Sequence, residues 1–191
     1  MTTSVVGMTT RISAALAPAF LFLYGILRWI DGFDGHRGGG VAWNLGHTFF
    51  LISVVLLGLL ALGLRHRIVV AAPGQRRLAA IATTVALAGT ACFLWVILGD
   101  LFPAVRAEAH APGPVQLLGP VLFQAGVLCL LIQLGVARRL PLWSPVLLAI
   151  GFGMIGLNLD LLPLGAALVG VGLAPLASSP QQPVSRQLVA H

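Results

Sequence analysis

Ala42–Leu64 reads AWNLGHTFFLISVVLLGLLALGL, 23 residues without a single Asp, Glu, Lys or Arg. A helix rises about 1.5 Å per residue and the hydrocarbon core of a bilayer is about 30 Å thick, so about 20 apolar residues cross it. No water reaches the peptide groups there, and a run of this kind must satisfy its own backbone as a helix. Working outward, Ile12–Ile30, Leu78–Gly99 and Val115–Val136 pass the same test. The segments between them hold what a crossing would exclude. Residues 31–40 (DGFDGHRGGG) are polar and glycine-rich, and 65–77 carry four Arg around Pro73-Gly74. Pro103, Pro112, Gly113 and Pro114 interrupt the chain after the third run, and Arg138-Arg139-Leu140-Pro141 after the fourth.

The stretch 142–177 is different. As one straight helix its 36 residues would reach about 54 Å, too long for a single crossing even when tilted. In its middle stands NLDLLP, with Asn158, Asp160 and Pro163, and an aspartate at mid-membrane costs a few kcal/mol. A turn at this point makes two short spans, 142–160 and 162–177, so six spans are favoured over five. The expected architecture is therefore all-α: a polytopic transmembrane helical bundle forming one domain over 1–177, with a disordered, proline-containing tail over 178–191.

Charge orients the bundle. With the N-terminus in the cytoplasm, Arg11, Arg65, Arg67, Arg76, Arg77, Arg138 and Arg139 all fall inside, and a sixth span brings Arg186 there too. Only Arg28, Arg37 and Arg106 remain outside, which satisfies the positive-inside rule. The composition agrees: 191 residues, 58% hydrophobic and 8% charged, where a soluble domain carries about 25% charged residues. A net charge of +6 does not point to nucleic acid here, because the eleven basic residues, all Arg, are scattered in ones and twos between apolar runs. Nucleic acid is excluded as a partner. Two cysteines make no disulfide framework.

In this topology all five acidic residues, Asp31, Asp34, Asp100, Glu108 and Asp160, fall at the outer ends of helices or in outer loops, with His36, His47, His110 and Asn158. A compact bundle could gather them into a polar pocket facing outward. Arg28 stands three residues before Asp31, so the two can pair on one helix face, either as an interfacial ion pair or as a holder for an anionic ligand. Asp31 and Asp34 make a DxxD, which in a glycine-rich loop reads first as a solvated turn. Asn44 and His47, three apart, give the second span a polar face below the interface; such a histidine usually faces the bundle interior. Asp100 in WVILGDLFP and Asp160 in NLDLLP are the candidate catalytic acids, and Arg28, Asp31, Asn44 and His47 the candidate ligand-binding residues.

Other signals have plainer readings. Gly151–Gly156 spells GxGxxG, but no strand precedes it, and its glycines are expected to pack helices, as are Ala166, Gly170 and Ala174. Gln116, Gln124 and Gln133 could line a pathway or hydrogen-bond between helices. No set of ligands has metal spacing, so neither metal nor cofactor is expected.

Three functions compete. The leading one is an accessory or structural protein of the cell membrane, whose polar outer residues cap helices. It would have membrane lipids around it and a protein partner in the membrane. The second is a membrane-embedded enzyme in which an outward-facing aspartic acid protonates an apolar, isoprenoid-like small-molecule ligand. In size and apolar character the chain is similar to the small polytopic terpene cyclases, a likeness of architecture without a shared motif. A small-molecule transporter comes last, because charges near the midplane and inverted repeats are missing.

Overall fold

The computed structural model describes residues 2–33, 35 and 38–178. Its elements are α1 (Thr2–Asp31), α2 (Gly40–Ala71), a 3-10 turn at Pro73–Gln75, α3 (Arg76–Leu101), the short α4 (Pro103–Glu108), α5 (Gly113–Val136), α6 (Trp143–Leu157), a 3-10 turn at Leu159–Leu161, and α7 (Leu162–Ser178). No strand occurs among the described residues. The chain is an all-helical membrane bundle in which five helices are long and apolar enough to cross a bilayer, with α6 a shorter apolar helix of 15 residues.

Several helices overrun the apolar stretches that define them. α1 starts at Thr2 rather than Ile12, and α2 runs past Leu64 and its arginines to Ala71. Hydropathy measures how much of a helix needs lipid, whereas its end is set by what breaks it. Here the breaker is Pro73, which biases Ala72 away from helical geometry; Ala72 lies at φ −143°, ψ 77°. At the other ambiguous point the chain does turn. Asn158 is extended (φ −152°, ψ 118°), its side-chain oxygen accepts from the Asp160 N–H at 2.8 Å, and Pro163 follows in the first turn of α7. An asparagine that caps a new turn and a proline at a helix start separate α6 from α7.

The six longer helices close into a ring in the order α1, α2, α3, α5, α6, α7, with α2 also touching α5 across the middle. Its core is apolar, built on Leu57, Leu60, Leu64, Val127, Leu130 and Leu173. Since lipid is as apolar as leucine, close backbone approach and side-chain-to-backbone bonds hold such a ring together. A Cβ on Gly126 of α5 would lie 2.5 Å from the Ala82 carbonyl oxygen of α3, and one on Gly165 of α7 would lie 2.5 Å from that of Gly151 of α6. Buried Ser53 donates to the Ala17 carbonyl at 2.8 Å, tying α2 to α1, and Ser144 donates to the Gly172 carbonyl, tying α6 to α7.

Three expectations about packing need correction. Of the GxGxxG glycines only Gly151 meets another helix; Gly153 and Gly156 have open space where a Cβ would stand. In α7 Ala166 is buried and a Cβ on Gly170 would lie 3.5 Å from Pro18 of α1, as expected, but Ala174 is exposed and the packed face runs instead through Gly165, Val169, Gly172 and Leu173. Gln116 and Gln133 bond locally, to the Ala111 and Cys129 carbonyls at 3.0 and 3.2 Å, rather than between helices.

Candidate functional site

One end of the ring collects the C-terminal ends of α1 and α3, the start of α2, α4, the start of α5 and the α6–α7 turn. Pro103 builds much of this place. It ends α3 at Leu101 and opens the six-residue α4, which folds back so that Arg106 lies against the last turn of α3. The Arg106 Nε–H donates to the Gly99 carbonyl at 3.1 Å, and its Nη2 is bonded to Asp100 Oδ1. A cation at a helix C-terminus satisfies an orphan carbonyl and opposes the negative end of the helix dipole.

The other oxygen of Asp100 faces α2. His47 is 3% exposed, and its Nε2 stands 3.6 Å from Asp100 Oδ2. Its Nδ1 lies 2.9 Å from the Trp43 carbonyl oxygen. A carbonyl only accepts, so Nδ1 carries the ring proton, and Nε2 is the nitrogen turned to the carboxylate. The Trp43 indole N–H completes the join by donating to the Asp100 carbonyl at 3.3 Å, while the Trp43 ring lies 4.0 Å from that of His47. Tyr24 of α1 meets the same histidine edge-on at 5.3 Å and stacks on Phe50 at 4.6 Å. Arg28, one turn further along α1, is close enough to Tyr24 to act on it electrostatically. Its Nε is buried with no hydrogen-bond partner among the described residues. Asp100, Arg28 and Asp31 are all close enough to act electrostatically on His47.

The outer side of Asp100 opens into a cleft of about 290 Å³ between α3, α4 and α5, lined among others by Trp95, Gly99, Asp100, Arg106, His110 and Gln116. The Trp95 indole donates to the Ala109 carbonyl at 2.8 Å and holds the far wall in place. A carboxylate, a guanidinium, an imidazole and an indole face line a space of headgroup size.

Of the residues singled out in the sequence, the fold brings Arg28, His47 and Asp100 together, with Asp31 in electrostatic range; the Asp31 carboxylate itself accepts from the Gly38 N–H at 3.2 Å. Asn44 is exposed and does not share the inward face of His47; its carbonyl accepts from Thr48 Oγ1 at 2.8 Å. Asp160 is exposed in the α6–α7 turn, where its main-chain carbonyl accepts from the Trp29 indole at 2.9 Å. Asp34 and His36 lie outside the described residues. Arg106 is the member that sequence reasoning missed as a site residue. Its signal was Pro103, which sends the chain back so that a cation six residues beyond an acid can meet it. Comparison with protein-family models, with curated proteins and with solved structures finds no match for this chain.

Proposed function

We propose that this multi-pass protein is an accessory or structural component of the cell membrane, with its N-terminus in the cytoplasm and six crossings. The observation that carries the reading is the placement of Asp100: one carboxylate oxygen is bonded to Arg106 and the main-chain carbonyl is taken by Trp43, with His47 Nε2 3.6 Å from the other oxygen. Together with the Trp29 bond to the α6–α7 turn, these contacts spend the polar groups of that end on joining helix to helix. An accessory protein also needs a face for a partner within the membrane. The open space over Gly153 and Gly156 on α6 would let a partner helix approach closely. The six crossings are supported by the antiparallel pairing of α6 with α7 about the Asn158 turn.

One observation favours a second reading, a ligand-binding or catalytic protein acting on an apolar, isoprenoid-like or phosphorylated molecule. Asp100 lines the cleft with Arg106, His110 and Trp95, so a ligand there would touch both charges. Asp160, exposed at a turn, has less support as the acid. A transporter has the least, because the polar ends are separated by the apolar core.

Native mass spectrometry with lipid extraction, on protein in mild detergent, separates these readings. The accessory reading expects the set of bound molecules to be unchanged in folded Asp100→Asn and Asp160→Asn. A specific molecule held by wild type and lost from Asp100→Asn would overturn it and place function in the cleft.

A further inference from the structure

The opposite end of the ring carries Arg11, Arg65, Arg67, Arg76, Arg77, Arg138 and Arg139, at the start of α1, the end of α2, the start of α3 and the α5–α6 turn. None of the described acidic residues lies there; Asp31, Asp100, Glu108 and Asp160 are all at the other end. Arg11 and Arg67 are close enough to repel one another. Charge of one sign gathered where a membrane protein leaves the bilayer calls for anions from outside the chain.

The α5–α6 turn gives that demand a shape. α5 ends in a paired bond pattern, Arg138 N–H to the Gly135 carbonyl and Arg139 N–H to the Leu134 carbonyl, both at 2.9 Å. This arrangement places its turning residue in the left-handed region, where glycine is the usual occupant. Here the residue is Arg138, at φ 55°. The strained position therefore holds a cation where a residue without a side chain would fit more easily. Both Arg138 and Arg139 are exposed, and with Gly135, Leu140, Pro141 and Leu142 they line a shallow, open depression of about 450 Å³. Trp143 follows, 47% exposed, as an aromatic at the level of the headgroups. Two exposed arginines thus border a shallow, mainly apolar depression at this end of the bundle.

We propose that the α5–α6 turn binds an anionic phospholipid, with Arg138 and Arg139 taking the phosphate and the exposed Pro141 and Leu142 receiving the upper acyl chains. Guanidinium groups suit a phosphate because they donate two parallel hydrogen bonds to it. The apolar wall distinguishes this ligand from a free phosphate, which would leave that wall uncovered. The inference is independent of the cleft at the other end and of the accessory reading.

The full-length chain in mild detergent would be titrated with phosphatidylglycerol or phosphatidylcholine of identical acyl chains, with bound lipid counted by native mass spectrometry. Arg138→Gly/Arg139→Gln removes both charges, and its glycine suits the left-handed turn. At about fivefold for each arginine, the double variant should lose about 25-fold in affinity for phosphatidylglycerol. Arg139→Gln alone should lose about fivefold, and Arg76→Gln/Arg77→Gln should keep the first tightly bound lipid. Equal binding of the two lipids by wild type, or equal losses in the two double variants, would overturn the site in favour of diffuse charge. Displacement of the lipid by an equal concentration of inorganic phosphate would show a free-phosphate site and overturn the lipid assignment.

Discussion

The two ends of the bundle use arginine in opposite ways. At one end Arg106 folds onto α3, bonds to Asp100 and closes the Gly99 carbonyl, so its charge is consumed within the protein. At the other, Arg138 and Arg139 project from a turn with no acidic residue near them in the chain, and Arg11 spends its Nε–H on the Ala177 carbonyl of α7 at 3.1 Å. Both ends cap helix C-termini with cations, but only one neutralises them. The difference teaches what each end is for. A neutralised end holds helices together whatever surrounds it, while an end of one sign depends on its surroundings.

The comparison breaks most cleanly if the ends do not face opposite sides of the membrane. Single cysteines at positions 76, 138, 32 and 109, in a background lacking Cys92 and Cys129, should react with an impermeant maleimide in two exclusive groups. Positions 76 and 138 should label from the cytoplasmic side, and 32 and 109 from the other. Adding cysteines at 139 and 159, both exposed, tests α6: labels from opposite sides mean that this 15-residue helix crosses, and labels from one side mean five crossings. The outcome is all or none, so it is the largest effect expected.

A smaller effect sharpens the contrast in energy. Asp100→Asn and Arg106→Gln should each lower stability by about 1 kcal/mol, since Arg106 is exposed but Asp100 is half-buried and the pair also closes a helix end. The two losses should overlap by about 0.5 kcal/mol in the double variant, because each removes the same bond. At the unneutralised end Arg76→Gln should stay within about 0.5 kcal/mol of wild type. Thermal unfolding in one detergent measures all four proteins, and fully additive losses would show that Asp100 and Arg106 do not act as a pair.

How much of this was legible follows from the physics of each feature. The helices of the ring could be read because apolar length and the breakers Pro73, Pro103 and Pro163 act locally along the chain. The gathering of polar residues at one end followed from counting crossings. The faces could not be read. α2 is apolar nearly all round, so nothing in its periodicity says that His47 turns inward and Asn44 outward. The same uniformity hid which glycines of α6 meet α7, since Gly151 and Gly153 differ only in the side they present. The Asp100–Arg106 bond needed the reversal at α4, and the ring order depends on contacts between residues far apart in sequence. Chemistry that lies along one helix is visible in the chain; chemistry made between helices waits for the fold.

Arg138 gives the finest test of the contrast, because there stability and function should part company. A non-glycine residue held at φ 55° costs about 1–2 kcal/mol relative to ordinary helical geometry, and glycine relieves most of that. Arg138→Gly alone should therefore raise stability in lipid-free detergent by about 1 kcal/mol, the reverse of every substitution proposed at the neutralised end. In detergent supplemented with phosphatidylglycerol the gain should shrink or vanish, because a ligand that binds the folded state stabilises it, and wild type binds more tightly. A gain independent of lipid would mean that the strained arginine serves no anionic partner. A loss in both conditions would mean that its side chain supports the fold itself, and the two ends would then be alike.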